Sequence, residues 1–287
     1  MEVCRADHID DAPNRLILGD NLAVMRGLPD ACLDLIYADP PFGSGRTYRG
    51  RARPGGPTPA FADAWGPELD EYLGWLMVRC REMWRLLTPT GSLFVHCDHH
   101  AGHYIKVELD RLCGRQAFIN EIVWCYKSGG ANPRRHFSRK HDVILMYARG
   151  PDYYFFPQKE KSYNRGGRPY RFKGVEEFQD ERGWYTLVAM KDYWEIDMVG
   201  RTSSERTGYP TQKPERLLER IIVGCCPPDG VVGDFFCGSG TTPAVAGRLG
   251  RRWIACDASR AAIDIARERL LRISTSVPGF TVEQVSG

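Results

Sequence analysis

Residues 231–257 read VVGDFFCGSGTTPAVAGRLGRRWIACD, and this stretch decides the fold. Residues 231–236 form an apolar run of strand length, 237–240 a tight glycine turn, and 241–249 a helix that the next glycine ends. Residues 253–256 predict a second buried strand. A strand, a glycine turn, a helix and a second strand make a β-α-β unit, which indicates an α/β fold with a Rossmann-like sheet.

Two acids accompany the strands of this unit. Asp234 lies in the first strand and Asp257 directly follows the second, close to the roughly 20-residue offset of the acid that meets ribose hydroxyls in Rossmann-type units. The run lacks a Gly-x-x-x-x-Gly-Lys-Ser/Thr phosphate loop, and Thr241, Thr242 and Pro243 follow the second glycine in place of the third glycine of a dinucleotide site. A nucleoside without phosphates fits better, and S-adenosylmethionine is such a ligand.

A second stretch that can carry chemistry is Asp39-Pro40-Pro41-Phe42. It follows residues 31–38, which predict a buried strand that ends at the acid. Ligands of open α/β sheets bind outside the carboxyl ends of the strands, and two prolines fix φ and remove two N–H donors. The tetrapeptide therefore presents a carboxylate, a rigid carbonyl and an aromatic face. By itself it is better explained as an extended turn, so its function depends on the rest of the chain.

The other elements follow the same α/β pattern. Apolar runs and three- to four-residue periodicity predict strands at 16–18, 92–97, 121–126 and 142–147, and helices at 22–28, 69–87, 211–225 and 259–272. We expect the strands at 121–126 and 142–147 to pair antiparallel. Pro214 suits the first turn of its helix, and Ser259 can cap the last one. Asp20 follows the first strand, where a simple helix cap explains it equally well.

Composition limits the class of protein. The chain has 287 residues, 43% of them hydrophobic and 26% charged, which is ordinary for a globular protein with an apolar core. A net charge of +3 permits a nucleic-acid partner without requiring one. The 10 cysteines form no Cys-x-x-Cys pair, which favours reduced thiols in a cytoplasmic protein. No apolar run approaches the roughly 20 residues of a membrane span, so we expect no membrane partner.

A run rich in histidine resembles a metal site at first sight, because it holds His96, Cys97, Asp98, His99, His100 and His103. His99 and His103 would share one face of a helix. However, the run straddles a strand-to-helix junction, and no second ligand cluster completes a tetrahedral set. A capping Asp98 with partly exposed histidines explains the run, so we expect no metal.

Three segments are rich in basic residues. Residues 43–67 are too long for a plain connector and favour a binding loop or mobile lid over an ordinary solvated loop. Residues 127–141 form a second basic loop. From 151 to 210 aromatics alternate with basic residues, which suits a nucleic-acid surface, although several rings are expected to form a small core of their own. The DNA-contact candidates are Arg46, Arg49, Arg51, Arg53, Arg134, Arg135, Arg139 and Lys140.

Taken together, these stretches resemble the amino-directed DNA methyltransferases, which modify adenine N6 or cytosine N4. Asp39-Pro40-Pro41-Phe42 matches the catalytic tetrapeptide of that family, and residues 234–242 match its cofactor loop. Because the catalytic motif precedes the cofactor loop, the chain resembles the circularly permuted β group, in which a target-recognition region is inserted between them. The resemblance covers most of residues 14–273. It implies a catalytic half at 1–150, a target-recognition insertion at 151–209 and a cofactor-binding half at 210–287.

The resemblance also implies roles for individual residues. The catalytic residues would be Asp39, Pro40, Pro41 and Phe42. Asp257 would hold the ribose of S-adenosylmethionine and Asp20 would approach its adenine, while residues 211–213 would face its methionine end. The cofactor-binding set would be Asp20, Thr211, Gln212, Lys213, Asp234, Phe236, Cys237, Gly238, Ser239, Gly240, Thr241, Thr242 and Asp257. Phe235 departs from the family, which usually has proline there.

The implied reaction is transfer of a methyl group from S-adenosylmethionine to N6 of a flipped adenine in double-stranded DNA. Adenine is preferred because an acid such as Asp39 is the commoner first residue of adenine enzymes in this family, whereas serine is typical of cytosine N4 enzymes. Cytosine N4 methylation is the alternative, and a non-catalytic DNA-binding protein with the same fold is a weaker one. A role in restriction-modification and a homodimer are compatible with the sequence, which decides neither.

Overall fold

The computed structural model describes residues 14–42, 46–49, 60–63, 69–127, 133–273 and 279–285, with backbone alone for 46–49 and 60–63. The first half contains β1 (Asn14–Leu18), α1 (Asn21–Arg26), β2 (Leu33–Ala38), β3 (Arg46–Arg49), β4 (Ala60–Asp63), α2 (Leu69–Leu86), β5 (Leu87–Cys97), α3 (Gly102–Cys113), β6 (Phe118–Cys125) and β7 (His141–Ala148). The second half contains β8 (Lys159–Tyr163), β9 (Phe178–Asp180), β10 (Gly183–Ala189), β11 (Tyr193–Glu195), α4 (Glu215–Cys225), β12 (Val231–Asp234), α5 (Thr241–Arg248), β13 (Arg252–Asp257), α6 (Arg260–Arg272) and β14 (Phe280–Gln284).

A nine-stranded sheet in the order β11-β6-β7-β5-β2-β12-β13-β1-β14 forms the centre of the molecule. Strand β7 pairs antiparallel with β5 and β6, as expected for the strands predicted at 121–126 and 142–147, and the other neighbouring pairs are parallel. Such a mostly parallel sheet needs helices on both faces, which explains why its central strands are apolar along their whole length.

Two apolar layers cover the two faces of this sheet. Alternate residues of β2 point to opposite sides, with Ile36 in one layer and Leu35 and Tyr37 in the other. Helices α1, α2 and α3 contribute to the first layer, and α4, α5 and α6 to the second. The three-layer arrangement is the Rossmann-like fold that the sequence predicts. No helix among the described residues is long and apolar enough to cross a membrane.

The order of the central strands places an early strand of the chain beside a late one. Strand β12 lies between β2 and β13, with Val232 opposite Leu35 and Gly233 opposite Ile36. The β-α-β unit predicted from residues 231–257 is thus present, and its first strand lies beside the strand that precedes Asp39. Since parallel neighbours end at the same edge of a sheet, the tetrapeptide at 39–42 and the glycine turn at 237–240 face one crevice.

Several element boundaries differ from the sequence prediction, and two of them differ in a way that affects the site or the connection between elements. Strand β5 follows α2 without a loop and begins at Leu87 rather than at residue 92. Helix α4 begins at Glu215 rather than at 211, and Pro214 is its extended N-cap with φ −69° and ψ 140°. A residue before proline is disfavoured in the helical region, which excludes Lys213 from the helix. Strand β14 was not predicted; it pairs parallel with β1 at the edge of the sheet.

The region between 151 and 209 contains a small antiparallel sheet in the order β8-β10-β9. Rings of this sheet pack on one another, with Tyr185 5.5 Å from Tyr163 and 5.6 Å from Phe178 between ring centroids. Strand β11 joins the main sheet instead, alongside β6. The boundaries at 150 and 209 stay a prediction. Within the basic loop predicted at 43–67, β3 and β4 form a two-stranded antiparallel ribbon.

Candidate active site

A cavity of about 300 Å³ opens at the carboxyl ends of β2, β12 and β13. Its volume is at the lower end of the roughly 300–1,000 Å³ of small-molecule sites. It brings together nearly all of the predicted catalytic and cofactor residues, namely Asp20, residues 39–42, residues 211–213, Asp234, residues 236–239, Thr241, Thr242 and Asp257. Gly240 is the member of the predicted set that does not line it.

Asp39 lies at the edge of this cavity, directly after β2. Its Oδ2 accepts a hydrogen bond from Lys213 Nζ at 2.5 Å, so the two halves of the chain are joined by an ion pair. Its Oδ1 lies 3.7 Å from His96 Nδ1 and is buried without a hydrogen-bond partner among the described residues. The carboxylate thus has one oxygen directed inward and one held by a cation of the cofactor half.

The turn after Asp39 is held on two sides. The Tyr72 hydroxyl of α2 donates to the Pro41 carbonyl at 2.7 Å. The Phe42 ring lies 5.5 Å from the His96 ring, and the Lys213 ammonium lies 5.5 Å from the Phe42 ring centroid. These contacts place an aromatic face beside the carboxylate at the cavity wall.

His96, at the end of β5, is fully buried behind Asp39. Its Nδ1 lies 2.8 Å from the Tyr37 hydroxyl, and its Nε2 lies 3.3 Å from Asp142 Oδ2. Burial raises the pKa of Asp142, but the hydrogen bond and charge of His96 and the charge of Lys213 hold it below its ordinary value. Burial and the neighbouring carboxylates raise the pKa of Tyr37 well above its usual value, so the phenol keeps its proton. The histidine therefore supports the catalytic edge from behind.

The glycine turn after β12 is organised by two carboxylates. Asp257 accepts backbone N–H groups from Gly238 at 2.9 Å and from Ser259 at 2.8 Å, and Asp234 accepts from Phe236 at 3.0 Å. Burial raises the pKa of Asp257, although the two backbone N–H donors act to lower it. Burial also raises the pKa of Asp234, to about 7. The turn is therefore a stiff loop with acids at the cavity wall.

Gly240 shapes this turn from outside the cavity. Its φ of +73° is in the left-handed region, and a Cβ on it would lie 2.8 Å from the Cβ of Ala266 in α6. Glycine is needed there for both reasons. Its contribution is to let α5 start close against α6, which explains why it does not line the cavity.

Asp20 combines two functions in the structure. Its Oδ2 accepts from Ala23 N at 3.2 Å as the N-cap of α1, as the simpler sequence interpretation proposes, and its Oδ1 accepts from Arg79 Nη2 at 2.9 Å. Arg79 also donates to Asn21 Oδ1 at 2.7 Å, and Asn21 donates to the Phe235 carbonyl at 2.9 Å. This chain links α2 to the cofactor loop.

Sequence reasoning missed Arg79, although a signal was present. The residue lies three positions after Leu76 and four before Met83, so it stands on the apolar face of α2. A buried charged residue on such a face needs a polar partner in the fold. Arg79 lines the cavity with Trp75 and Tyr209, which were also not predicted.

The segment at 211–213 is held tightly to the cofactor half. Thr241 Oγ1 donates to the Lys213 carbonyl at 3.1 Å and accepts from Arg269 at 2.8 Å. The Gln212 side chain bonds to Thr207 and Glu205, so its amide is used within the preceding loop. Of these three predicted residues, Lys213 is the one whose side chain reaches the catalytic edge.

The predicted DNA-contact residues whose side chains the structure describes do not line the cavity. Arg134, Arg135 and Arg139 are exposed on the loop between β6 and β7, and Lys140 is half-buried at its end. Arg46 and Arg49 belong to β3, whose backbone alone is described, and Arg51 and Arg53 lie outside the described residues. The loop joins the sheet near Asp142, on the side where His96 approaches Asp39.

The histidine-rich run has a geometry different from the one considered for a metal. Asp98, His99 and His100 bring one ligand atom each within 4.8 Å of one another. Helix α3 begins at Gly102, so His99 precedes it and does not share a helix face with His103. Asp98 accepts from the backbone and side chain of His100 rather than capping the helix.

Comparison with known proteins identifies the family of the chain. The DNA methylase family matches residues 33–268. DNA adenine methyltransferase YhdJ of Escherichia coli (strain K12) is 27% identical over 273 residues, which cover 93% of this chain and 86% of that protein. Type II methyltransferase M.BglII of Bacillus subtilis is 27% identical over 268 residues, which cover 90% of this chain and 69% of that protein.

Solved structures share the fold. The PvuII DNA methyltransferase, which is cytosine-N4-specific, has a TM-score of 0.62 at 16% identity and covers 95% of both chains. A Thermus thermophilus DNA modification methylase in complex with S-adenosyl-L-methionine has a TM-score of 0.56 at 22% identity and covers 96% of this chain and 98% of that one.

The residues around the cavity suit that cofactor. Acidic side chains that can accept hydrogen bonds from hydroxyl and ammonium groups lie beside the apolar side chains of Trp75 and Phe236. The sequence has no phosphate-loop motif, which agrees with a ligand that carries no phosphate. The tetrapeptide at 39–42 and the glycine turn line one cavity, and both lie within the family match over residues 33–268. The chain therefore belongs to the amino-directed DNA methyltransferases, which act on DNA with S-adenosyl-L-methionine as cofactor.

Proposed function

We propose that this protein methylates the exocyclic N6 of an adenine that is flipped out of duplex DNA at a specific sequence. The observation that carries the proposal is the position of Asp39 and Phe42 on the same cavity as the glycine turn and Asp257. A methyl donor held by the turn and an amine held by the tetrapeptide would meet in this space.

The chemistry requires an amine that is made more reactive. The lone pair of the amine is delocalised into the base ring, which makes the nitrogen a poor nucleophile. The Asp39 carboxylate and the Pro40 carbonyl would accept hydrogen bonds from its two N–H groups and favour a pyramidal nitrogen. S-adenosylmethionine supplies an electrophilic methyl group on sulfur. Positioning the amine is the main contribution of the chain, and such positioning is worth up to about 7–11 kcal/mol in well-oriented systems. Asp39 acts as an acceptor that orients the amine. It need not be a strong base, because methylation would leave a positive charge on the nitrogen, whose acidic proton would leave after the transfer.

The target base must leave the duplex to reach this cavity, which costs a few kcal/mol. The Phe42 ring stands beside Asp39 and would stack on the flipped base. Stacking of a base on an aromatic side chain contributes about 1–3 kcal/mol and offsets much of that cost.

Adenine is the proposed target because Asp39 is an acid. Within the family that the sequence resembles, an acid is the commoner first residue of adenine enzymes, and the similar E. coli YhdJ is named an adenine methyltransferase. Cytosine N4 is the second candidate, since the fold is shared with the cytosine-N4-specific PvuII enzyme. The fold alone does not separate the two bases.

The proposal assigns DNA contacts to the basic loops and base choice to residues 151–209. Exposed Arg134, Arg135 and Arg139 would meet phosphates, because exposed cations neutralise the charge of the DNA backbone. Several relatives are named Type II methyltransferases, which supports a role in restriction-modification.

Location and assembly complete the proposal. The cysteines of the described residues are free thiols, which supports a cytoplasmic location. A homodimer stays a prediction that sedimentation of the purified protein tests directly.

The decisive experiment is to express the protein in a host without other DNA methylation, digest the DNA to nucleosides and weigh them. We expect N6-methyladenine, and sequencing that detects modified bases then gives the recognition site. Finding N4-methylcytosine alone would transfer the proposal to the second candidate. Finding neither base would contradict methylation of DNA by this chain.

A further inference from the structure

The ion pair between Lys213 and Asp39 joins residues that are 174 positions apart. Both side chains are largely enclosed, with 10% of Lys213 and 18% of Asp39 exposed. Lysine side chains are usually solvated, so a lysine enclosed against a carboxylate at a cavity edge calls for a specific reason. The resemblance to the family predicts a different position for it, facing the methionine end of the cofactor.

Few other groups hold the Asp39 carboxylate in place. Oδ1 is buried without a hydrogen-bond partner among the described residues, and the nearest nitrogen on that side, His96 Nδ1, already lies 2.8 Å from the Tyr37 hydroxyl. Lys213 Nζ lies 2.5 Å from Oδ2, whereas His96 Nδ1 lies 3.7 Å from Oδ1. Lys213 is therefore the side chain that holds this carboxylate most closely among the described residues.

The direction of the Lys213 side chain is set by the contacts of its backbone. Its carbonyl accepts from Thr241 Oγ1, which Arg269 binds in turn, and the next residue, Pro214, is the N-cap of α4. Thr211 has a φ of +60°, a left-handed conformation that few residues other than glycine adopt. A turn that is held in this way directs the side chain from the cofactor half across to the catalytic half.

The Asp39 carboxylate in this position can still accept a hydrogen bond from an amine. Since Oδ1 is buried, the exposed surface of the carboxylate belongs to Oδ2, and a carboxylate oxygen has a second lone pair beside the one that Lys213 uses.

We propose that Lys213 is a positioning residue for methyl transfer: its ammonium holds the Asp39 carboxylate in place and turns Oδ2 toward the amine that is to be methylated. The inference rests on the proposed function and adds to it a requirement that links the two halves of the chain. Lys213 acts through Asp39, and its side chain is not required for holding the cofactor.

The test compares Lys213→Gln and Lys213→Arg with the wild type in DNA methylation at saturating DNA and cofactor, together with cofactor affinity by calorimetry. For Lys213→Gln we expect a loss in kcat of roughly 100-fold, as for a misplaced reacting group. Cofactor affinity should change by less than about threefold, and Lys213→Arg should keep most of the rate.

Lys106→Gln is the matched control, because Lys106 pairs with Asp110 on α3, outside the cavity. It should leave kcat unchanged. A cofactor affinity weakened by more than about tenfold in Lys213→Gln would show that the lysine serves the cofactor and would overturn the inference. An equal loss of kcat in both Lys213 variants would show a structural role and overturn it too.

Failure of the proposed function is distinguishable from failure of this inference. If the wild type itself produces no methylated base while it binds the cofactor, the proposed function is wrong and the inference is wrong with it. If the wild type methylates DNA and the variants do not behave as stated, the inference alone is wrong.

Discussion

Replacing Arg79 with methionine should lower the free energy of unfolding by about 2–5 kcal/mol. The guanidinium donates to the buried Asn21 Oδ1 at 2.7 Å, and a hydrogen bond of this charged type is worth about 1.5–3 kcal/mol. It also lies 4.1 Å from the Trp75 ring centroid, a contact worth about 0.5–1 kcal/mol. The pair with Asp20 adds at most about 1 kcal/mol, because Asp20 is 48% exposed.

Methionine preserves most of the apolar stem of Arg79, so the variant removes chiefly its polar contacts. Urea unfolding followed by circular dichroism measures the difference. Arg260→Met is the matched control, since the Arg260 and Asp264 pair in α6 is exposed, at 71% and 58%, and should contribute less than about 0.5 kcal/mol. A loss below about 1 kcal/mol for Arg79→Met, or an equal loss in the control, would refute the reasoning that Arg79 ties α2 to the cofactor loop.

Three further predictions address the site. Asp39→Ala should abolish turnover while largely sparing cofactor binding, because in the proposed mechanism Asp39 accepts a hydrogen bond from the amine; full activity in methylation assays would remove it from the mechanism. Asp234→Asn should make stability less dependent on pH in the cofactor-free protein. Burial raises the pKa of Asp234 from 3.8 to about 7, so its retained proton stabilises the folded wild type at low pH, and this contribution is lost as pH rises through that window. Urea unfolding at about pH 5 and about pH 8 measures this, and identical pH dependence in both proteins would contradict it. The double variant Arg134→Ala/Arg135→Ala should reduce the slope of log DNA affinity against log salt by about 1.8, at about 0.9 for each phosphate contact; an unchanged slope in a filter-binding titration would exclude these arginines from the interface.

The buried hydrogen bonds around His96 explain why the catalytic edge is stiff. His96 lies between the acids Asp39 and Asp142 and contacts Tyr37, so three strands of the sheet converge on one ring. Preorganised groups of this kind need little rearrangement when a substrate arrives. The position of Asp39 thus depends on support from β5 and β7 as well as on its own turn.

Local patterns were sufficient where a segment carries its own structural signal. The β-α-β unit at 231–257, the strand before Asp39 and the helix at 69–87 are all present, because apolar periodicity and glycine turns act over a few residues. The same local reasoning was wrong at 211–214, where the residue before Pro214 is kept out of the helix, and it missed β14, a half-exposed edge strand with a weak pattern.

Contacts between segments that are distant in the sequence could not be predicted from local patterns. The sequence shows Lys213 and Asp39 as members of two motifs, but the ion pair between them exists because β12 inserts beside β2 in the sheet. Arg79 is visible in the sequence as a charge on an apolar helix face, yet its partners, Asp20 and Asn21, come from another element.

The sequence alone thus determined the family, the α/β fold, the cofactor and the two motifs, since each depends on residue types at short spacing. Only the tertiary structure decided which groups of those motifs meet, that Asp257 and Asp234 stiffen the glycine turn, and that Lys213 pairs with Asp39. The physical reason is the permuted order of the strands. Parallel strands from opposite ends of the chain end at one edge of the sheet, and the distances across that edge are set by packing rather than by any local pattern.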